Sequence, residues 1–482
     1  MTPAATALAV MAAIVAIGTA VGFLAGSRRR MDLEQWSVGG RGFGTVLVFL
    51  LMAGEVYTTF AFLGVSGWAY SRGGPALYAL AYLTLAYVTA FFFLPQLWEV
   101  GRRHGMQTQP DFFSVVYRNP YLAGFVCVVG ILAFVPYLQL QLAGIGIIVS
   151  VASFGHIGRI TAMCVGTLLV VAFVFAHGVR AVAWVSVVKD FLMLFAAIVI
   201  GIGIPLAHFG GIGAMFAALA HAHPEHLVMP GATANLGHSW YISTVILTSC
   251  GFYMWPHAFG ATFTAKSADT LRRNAVVLPI YSLTLALMFF AGFAVVLILP
   301  HFSDGDLGLL TVASRTFSPW FLGVIGGAGA LTAMVPAAIL LLTAATLFAK
   351  NLYRPLFAPG MSDDGVARLA RAMVVVLGAT SLGLAIHGGG TLVSLLLTGY
   401  AMVTQCFPGV VLGLYWRRVT GTAVFIGMAA GVLIAVLLMS THRDPIAGLN
   451  AGFVALCVNF ALTIAASLAT RTDTAELLPG LT

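Results

Sequence analysis

Apolar residues fill most of this chain in long stretches, and short segments between them hold most of the charged residues. Each stretch is about 20 residues long, which as a helix crosses a hydrocarbon core of roughly 30 Å. The pattern predicts about 13 transmembrane helices and an all-α polytopic membrane protein. The predicted spans are 5–26, 44–64, 76–98, 121–152, 160–177, 182–208, 240–262, 275–299, 320–348, 367–387, 392–416, 421–439 and 447–469.

Composition and the placement of charge agree with this prediction. The chain has 60% hydrophobic and 8% charged residues, against roughly 25% charged residues in an average soluble domain. Of its 23 Lys and Arg residues, 18 fall in alternate loops, four fall in the other loops, and Lys189 lies inside a span. This bias predicts an outside N-terminus and a cytoplasmic C-terminus in a bacterial-type inner membrane. It leaves no basic patch for nucleic acid.

Cysteines and histidines raise the question of a metal site. The five cysteines all lie in apolar stretches without a CxxC spacing, which predicts buried free thiols. One predicted outside loop, 207–239, holds five histidines: His208, His221, His223, His226 and His238. That loop has no Cys and a single Glu, and its histidines are irregularly spaced. A solvated surface loop is therefore favoured over a metal site.

Two spans contain residues that interrupt a helix. In the second span, 53–59 places a glycine, an acid and three hydroxyl groups at the centre of an apolar run. In the seventh, 249–251 and 255–257 bring glycine and proline into the helix. Lipid tolerates a broken helix where it lines a cavity or a protein-buried site. Such residues also mark simple packing kinks, which is the alternative at each break.

The two breaks head consecutive sets of five spans, 2–6 and 7–11, that enter the membrane from opposite sides. This arrangement is typical of an inverted-repeat transporter, in which half-helix ends face the substrate near the midplane. The predicted parts are an N-terminal helix and loop (1–43), a first repeat (44–208), an outer loop (209–239), a second repeat (240–416) and two C-terminal helices with a tail (417–482).

Several motifs carry a family resemblance. The segments 38–41, 62–70, 105–111 and 405–416, in this order and spacing, resemble the solute:sodium symporter family. The segments 54–58, 135–142, 188–190, 255–257 and 273–282 resemble its monocarboxylate permeases. The resemblance implies a LeuT-type inverted repeat. It also implies a secondary active transporter, not an enzyme, that imports a small monocarboxylate such as lactate, pyruvate or acetate by cation symport with alternating access.

The coupling cation is the first question that the resemblance raises. In the family, sodium lies between carbonyls of the first broken helix, here Gly54 and Tyr57, and oxygen-bearing residues of the ninth span. The matching ninth-span positions are Thr332, Val335 and Pro336. Because Val335 and Pro336 cannot supply a hydroxyl oxygen, a sodium site here is weakened. Bound sodium stays a candidate ligand, and no organic cofactor is expected.

Glu55 lies between the two carbonyl positions and is a functional candidate because acids inside membranes are costly. Three interpretations stay open: Glu55 carries a coupling proton, which is slightly favoured, or it supplies a sodium ligand, or it pairs structurally with Lys189. Lys189 and Asp190 are adjacent on the sixth span and are a candidate gate or ion pair. Since helix neighbours point about 100° apart, they are expected to address different partners.

The predicted substrate contacts are polar groups inside spans. They are Tyr57, Thr58, Thr59, Tyr137, Gln139, Gln141, His257 and Gln405. Gln139 and Gln141 lie about 200° apart on a helix, so one of them is expected to face a cavity. The alternative for each is an interhelical hydrogen bond of about 0.6 to 2 kcal/mol.

Three other functions compete with monocarboxylate uptake. One is a sodium-coupled symporter of another small solute, such as proline or pantothenate, and a remote one is a membrane sensor on a transporter scaffold. A membrane-embedded enzyme is disfavoured because the chain lacks HExxH, DDxxD and GxSxG motifs. The expected partners are therefore a small organic acid, a proton or sodium, and the lipid bilayer, while the sequence leaves the oligomeric state open.

Overall fold

The structure is a computed structural model that describes residues 2–26, 39–176 and 179–470. The arginines at 28–30 and 471, which enter the topology prediction, lie outside the described residues, as do Val38 and His177. Within the described ranges the backbone is helical, and strand-like pairing is limited to two isolated bridges, Phe43 with Ala265 and Ile446 with Leu449.

The first half of the chain begins with a long helix and continues into an interrupted one. Its α-helices are α1 (Pro3–Gly26), α2 (Thr45–Val56), α3 (Val65–Arg72), α4 (Tyr78–Arg103), α5 (Gln109–Tyr117), α6 (Pro120–Ala152), α7 (Arg159–Ala176), α8 (Val179–Phe209) and α9 (Ile212–Ala222). A π-helical turn, Phe60–Gly64, leads into α3.

The second half again begins with an interrupted helix. Its main α-helices are α10 (His238–Gly251), α11 (Pro256–Thr262), α12 (Ala268–Ser282), α13 (Ala286–Ile298), α14 (Gly305–Thr316), α15 (Pro319–Thr346), α16 (Asp363–His387), α17 (Leu392–Val403), α18 (Phe407–Tyr415), α19 (Gly421–Ser440) and α20 (Ala451–Ala469). A π-helical turn, Leu347–Tyr353, extends α15.

Ten helices among the described residues are long and apolar enough to span a membrane, and the pair α2 and α3, bent by 51°, makes an eleventh span. The helix α7 and the interrupted pair α10 and α11 are shorter. Counting both of these as spans would give the predicted 13. Because both are shorter than the other spans, the number 13 stays a prediction.

Several boundaries differ from the sequence-based ones. The second span ends at Arg72 rather than at residue 64, because the helix resumes after its break. The eleventh span contains a short 3-10 turn, Thr404–Cys406. The outer loop includes α9, whose Met215 and Leu219 are buried and turn one face of that helix into the protein.

The cysteines are free, as predicted, but two of the five are not buried. Cys127 and Cys406 are buried and Cys250 is partly buried, whereas Cys164 and Cys457 are exposed. A thiol on an outward helix face behaves as a small apolar group, so lipid contact replaces burial in protein.

The helix α15 forms the centre of the bundle. It packs against α1, α6 and α8, while α6 also packs on α17 and α4 packs on α10 and α12. Glycine and alanine are frequent on α15, so that neighbouring backbones approach closely, as is usual between membrane helices. The two interrupted helices therefore lie beside a tightly packed frame.

Candidate functional site

The first helix break leaves backbone groups without their helical partners. The helix α2 ends at Tyr57 (φ −86, ψ 87), and the amide of Thr58 bonds to Val56 O at 3.1 Å instead of to Gly54 O. Gln141 of α6 covers the freed donors of Thr59, accepting from its hydroxyl at 2.7 Å and from its amide at 3.4 Å. This satisfies the requirement that buried backbone groups be paired.

The freed carbonyls receive the ammonium group of Lys189. Its Nζ donates to Gly54 O and, at 3.0 Å, to Tyr57 O, and it lies 3.2 Å from Asp190 Oδ1. The lysine is fully buried. The expectation that Lys189 and Asp190 address different partners is therefore wrong. The flexible four-carbon stem of lysine overcomes the 100° offset between neighbours, and the same ammonium serves both the carbonyls and the carboxylate.

The ninth-span positions present no free hydroxyl group at this point. The hydroxyl of Thr332 donates to Ala328 O of its own helix at 2.7 Å. Val335 is buried in an apolar cluster with Val182 and Val185 of α8, and Pro336 is buried as well. This face of α15 is thus apolar packing toward α8.

The second helix break is held by side chains from two other elements. After α10 the chain forms a 3-10 turn, Phe252–Met254, and then an extended residue, Trp255 (ψ 126). Gln109 Nε2 donates to Met254 O at 2.8 Å, and the Thr404 hydroxyl donates to Leu247 O at 3.3 Å. Both breaks predicted from sequence are confirmed. At Gly251 an added Cβ would lie 2.1 Å from Thr404 Oγ1, so this position requires glycine.

A cavity of about 320 Å³ lies between the two breaks. It is small and mostly aromatic, and Glu55, Thr58 and His257 bring polar groups to its wall beside the hydroxyl groups of three tyrosines. The lining residues are Glu55, Val56, Thr58, Phe60, Tyr82, Tyr137, Phe252, Trp255, His257, Leu396 and Tyr400. An apolar chamber with a few converging polar groups is the usual form of a small-molecule site.

A second cavity of about 600 Å³ adjoins the first. It extends from Glu55 and His257 toward Gln107 and Thr108, next to the basic loop after α4 that is predicted to be cytoplasmic. Glu55 and His257 line both cavities. Glu55 Oε2 lies 3.3 Å from His257 Nε2, a contact that is an ion pair only when the histidine is protonated.

The structure brings only part of the predicted substrate set to the central cavity. Thr58, Tyr137 and His257 line it. The ring of Tyr57 packs on Tyr281 at 5.0 Å, and Thr59 is held by Gln141 as described.

The remaining amides lie elsewhere. Gln139 donates to Leu384 O at 3.2 Å, and Gln405 donates to Ala401 O at 3.0 Å and accepts from Asn459 Nδ2 at 3.1 Å. Neither Gln139 nor Gln141 is among the lining residues of the cavity, where one was expected. These amides make the interhelical bonds that were the alternative to substrate binding.

The sequence reasoning missed several aromatic residues of the cavity, chiefly Tyr82, Trp255 and Tyr400. Tyr82 and Tyr400 stand singly inside apolar spans, where nothing in the pattern separates them from packing residues. Trp255 offered a signal, because it immediately precedes Pro256 at the second break. Its ring lies 4.9 Å from that of Tyr137 and 5.3 Å from that of Tyr400.

The segment 105–111 is fastened to the end of the α15 span. Asp111 accepts from Lys350 at 3.0 Å and from Asn351 at 2.7 Å. Burial of Asp111 opposes its ionisation, but Lys350 and the donors at Gln107 and Asn351 outweigh this and lower its pKa below the ordinary value. This motif of the family resemblance therefore has a structural role beside the larger cavity.

At the other end of the bundle, a buried acid joins α3, α14 and α17. Asp306 Oδ2 accepts from Leu392 N at 2.9 Å, and an added Cβ at Gly67 would lie 2.4 Å from Asp306 Oδ1. Burial raises the pKa of Asp306 to about 7, although the Leu392 amide partly opposes the shift. Nearby, Trp68 Nε1 donates to Thr391 Oγ1 at 3.1 Å.

Comparison with known proteins gives consistent matches over nearly the whole chain. Residues 36–431 match the model of the sodium:solute symporter family. The Bacillus subtilis (strain 168) symporter YhjB is 42% identical over 478 residues, which cover 96% of this chain and 97% of that protein. A monocarboxylate transport permease protein of Rhizobium johnstonii is 29% identical over 482 residues, covering 95% and 96%.

Solved structures show the same fold. A Na⁺-coupled sialic acid symporter in a substrate-bound outward-open state superposes with a TM-score of 0.81 at 16% identity, over 97% of this chain and 98% of that one. MhsT in complex with L-phenylalanine gives 0.53 at 14% identity, over 88% and 98%. The fold is thus the predicted LeuT-type one, and the matches support cation-coupled solute symport across a membrane. The chain belongs to the sodium:solute symporter family.

Proposed function

We propose that this protein imports a small monocarboxylate, of the size of lactate, pyruvate or acetate, together with a proton. The observation that carries the coupling is the position of Lys189. Its ammonium lies on the Gly54 and Tyr57 carbonyls, which the family resemblance assigns to sodium. Two like charges this close in a low-dielectric site repel strongly. A tethered cation therefore makes sodium binding at these carbonyls unfavourable.

The ninth-span residues that the resemblance assigns to sodium also favour proton coupling. A hard cation needs several oxygen ligands to replace its water shell. Val335 and Pro336 offer none, so of the three matching positions only Thr332, whose hydroxyl donates to Ala328 O, keeps an oxygen for a cation. Lysine needs acceptors for its N–H groups and a counter-charge: Gly54 O and Tyr57 O accept, and Asp190 Oδ1 lies 3.2 Å away as the ion-pair partner. The site is matched to an ammonium group.

Glu55 is the proposed proton carrier. It lines the central cavity and lies within 3.3 Å of His257, so one proton can be held between the two side chains. An ionised Glu55 repels a carboxylate substrate in the same cavity, and a protonated Glu55 does not. Proton and anion therefore favour each other's binding, which is the thermodynamic requirement for symport.

The cavity favours a small acid. It is small and its walls are mostly aromatic. The hydroxyl groups of Thr58 and Tyr137 are donors that a carboxylate can use without a buried arginine. The monocarboxylate permease among the relatives supports the same substrate class.

The position of Glu55 also suits alternating access. It and His257 line both the central cavity and the larger cavity beside Gln107. A proton bound there in one state can thus leave toward the other side in the next, as an alternating-access cycle requires.

The test is uptake into proteoliposomes with the membrane potential clamped. Labelled L-lactate uptake is measured with an inward proton gradient in the absence of sodium, and separately with an inward sodium gradient at equal pH. Because undissociated acid crosses lipid unaided, protein-free vesicles are subtracted and the saturable initial rate is compared. The proton gradient is expected to drive uptake and the sodium gradient to add nothing.

The reverse result, saturable uptake that needs sodium and ignores the proton gradient, would refute proton coupling. If neither gradient moves lactate, pyruvate or acetate, the substrate assignment fails. Sodium-driven uptake of proline or pantothenate in the same vesicles would then establish the competing function.

A further inference from the structure

The outer loop brings two histidines and a glutamate together. The His223, Glu225 and His226 ligand atoms all lie within 4.8 Å of one another. His223 Nδ1 is 3.1 Å and His226 Nδ1 is 3.4 Å from Glu225 Oε1. Zinc with ligands at about 2.0–2.1 Å in tetrahedral geometry sets ligand atoms roughly 3.3 Å apart. The two nitrogen–oxygen distances are close to that value.

The hydrogen bonding of His226 fixes which of its nitrogens can bind a metal. His226 Nε2 lies 3.0 Å from Tyr70 O. Because a carbonyl only accepts, Nε2 carries the hydrogen, and in a neutral ring Nδ1 is a bare lone pair. Metal-bound histidines usually donate their second N–H to a carbonyl or carboxylate in this way.

The lone pair of His226 faces another acceptor. Nδ1 is buried without a hydrogen-bond partner in the described part of the chain, His226 is only 8% exposed, and the nearest charged atom is Glu225 Oε1. A buried acceptor that faces a second, partly exposed acceptor is unfavourable unless a cation lies between them. That cation is either a proton on Nδ1 or a metal ion.

We infer that His223, Glu225 and His226 bind a borderline transition-metal ion such as Zn²⁺, with a fourth position left for water. Two nitrogens and one carboxylate oxygen suit zinc, whereas Mg²⁺ and Ca²⁺ prefer oxygen ligands. The side chains of His223 and Glu225 are 34% and 47% exposed, which gives the ion a path from solvent.

The site would fasten the outer loop to the second half of the first broken helix. His226 bonds to Tyr70 near the end of α3, and Ala232 N donates to Arg72 O at 3.0 Å. At Gly73 (φ +73) an added Cβ would lie 2.6 Å from His226 Cα, so the loop backbone contacts the helix end directly. A bound ion would therefore stiffen the attachment of this half-helix.

The test is calorimetric titration of the purified full-length protein with ZnCl₂ in detergent, using an affinity tag without histidines. One ion per chain is expected to bind, and excess Mg²⁺ should not displace it. Losing a residue that only hydrogen-bonds to a metal ligand typically weakens binding by about 10- to 100-fold. Removing a ligand itself, as in His223→Ala or Glu225→Gln, should therefore weaken Zn²⁺ binding by about tenfold or more. Both side chains are partly exposed, so these variants should fold.

His221→Ala is the matched control, because His221 lies in the same loop but outside the cluster. It should bind zinc as the wild type does. Absence of saturable zinc binding would mean that the hydrogen bond between His223 Nδ1 and Glu225 Oε1 is sufficient without an ion, and the proposal fails. Wild-type affinity in Glu225→Gln and His223→Ala, or equal loss in His221→Ala, also overturns it.

Discussion

Replacing Glu55 by glutamine tests the electrostatic coupling between proton and substrate. Glutamine keeps the shape of a protonated carboxyl group but cannot ionise, so it fixes the site in its proton-loaded charge state. Wild-type affinity for lactate should fall as the pH rises and Glu55 becomes ionised. In Glu55→Gln it should stay near its low-pH value at every pH.

The size of the effect follows from the cavity. A substrate carboxylate in the cavity that Glu55 lines lies on the order of 6 Å from the Glu55 charge. At an effective dielectric constant of about 20, two unit charges at this distance repel by about 3 kcal/mol. That corresponds to about a hundredfold in affinity.

The assay is binding of labelled lactate to purified protein at pH 6 and pH 8, with proton-driven uptake measured in parallel. Glu55→Gln should lose uptake against a gradient while it keeps lactate counterflow, because exchange needs no net proton transfer. Glu99→Gln removes an exposed acid far from the cavity and serves as the control. If Glu55→Gln keeps both the pH dependence of binding and the proton-driven accumulation, the assignment of the proton to Glu55 is refuted.

Three further predictions concern Lys189, Gly54 and Asp306. Lys189→Met leaves Asp190 buried without its cation. This should lower the free energy of unfolding by about 3–5 kcal/mol and with it the unfolding temperature. The double variant Lys189→Met with Asp190→Asn should recover part of that stability. Gly54→Ala puts a Cβ 3.3 Å from Lys189 Nζ, so the ammonium must shift and proton-driven uptake should fall. Gly383→Ala, which meets open space, should transport normally. Because the pKa of Asp306 is raised to about 7, the folded protein holds a proton that the unfolded chain releases between about pH 4 and 7. Stability should therefore fall as the pH rises through this window, and Asp306→Asn should abolish that slope in unfolding temperatures.

The site shows where residue patterns were informative and where they were not. Glu55 and His257 were found from sequence because a charged or titratable group within an apolar span is costly and therefore conspicuous. Gln139, Gln141 and Gln405 were equally conspicuous, yet they bond to neighbouring helices. A polar side chain in a span satisfies its hydrogen bonds wherever a partner lies, and sequence does not reveal that partner.

The loop histidines show the opposite case. Their spacing in sequence favoured a solvated loop, because it matched no regular metal motif. Three ligand atoms nevertheless meet, since the 3-10 turn Pro224–Leu227 directs His223, Glu225 and His226 to one side. Local backbone geometry, rather than a repeat of ligand positions, brings them together.

The sequence by itself determined the membrane environment, most of the helices and both helix breaks. These follow from the length of apolar runs and from local backbone chemistry, which are properties of neighbouring residues. The tertiary structure alone decided that the ammonium of Lys189, about 130 residues away in sequence, lies on the carbonyls of Gly54 and Tyr57. That contact depends on how α2 and α8 pack and on how far a flexible side chain reaches, and neither is encoded in any short segment of the chain.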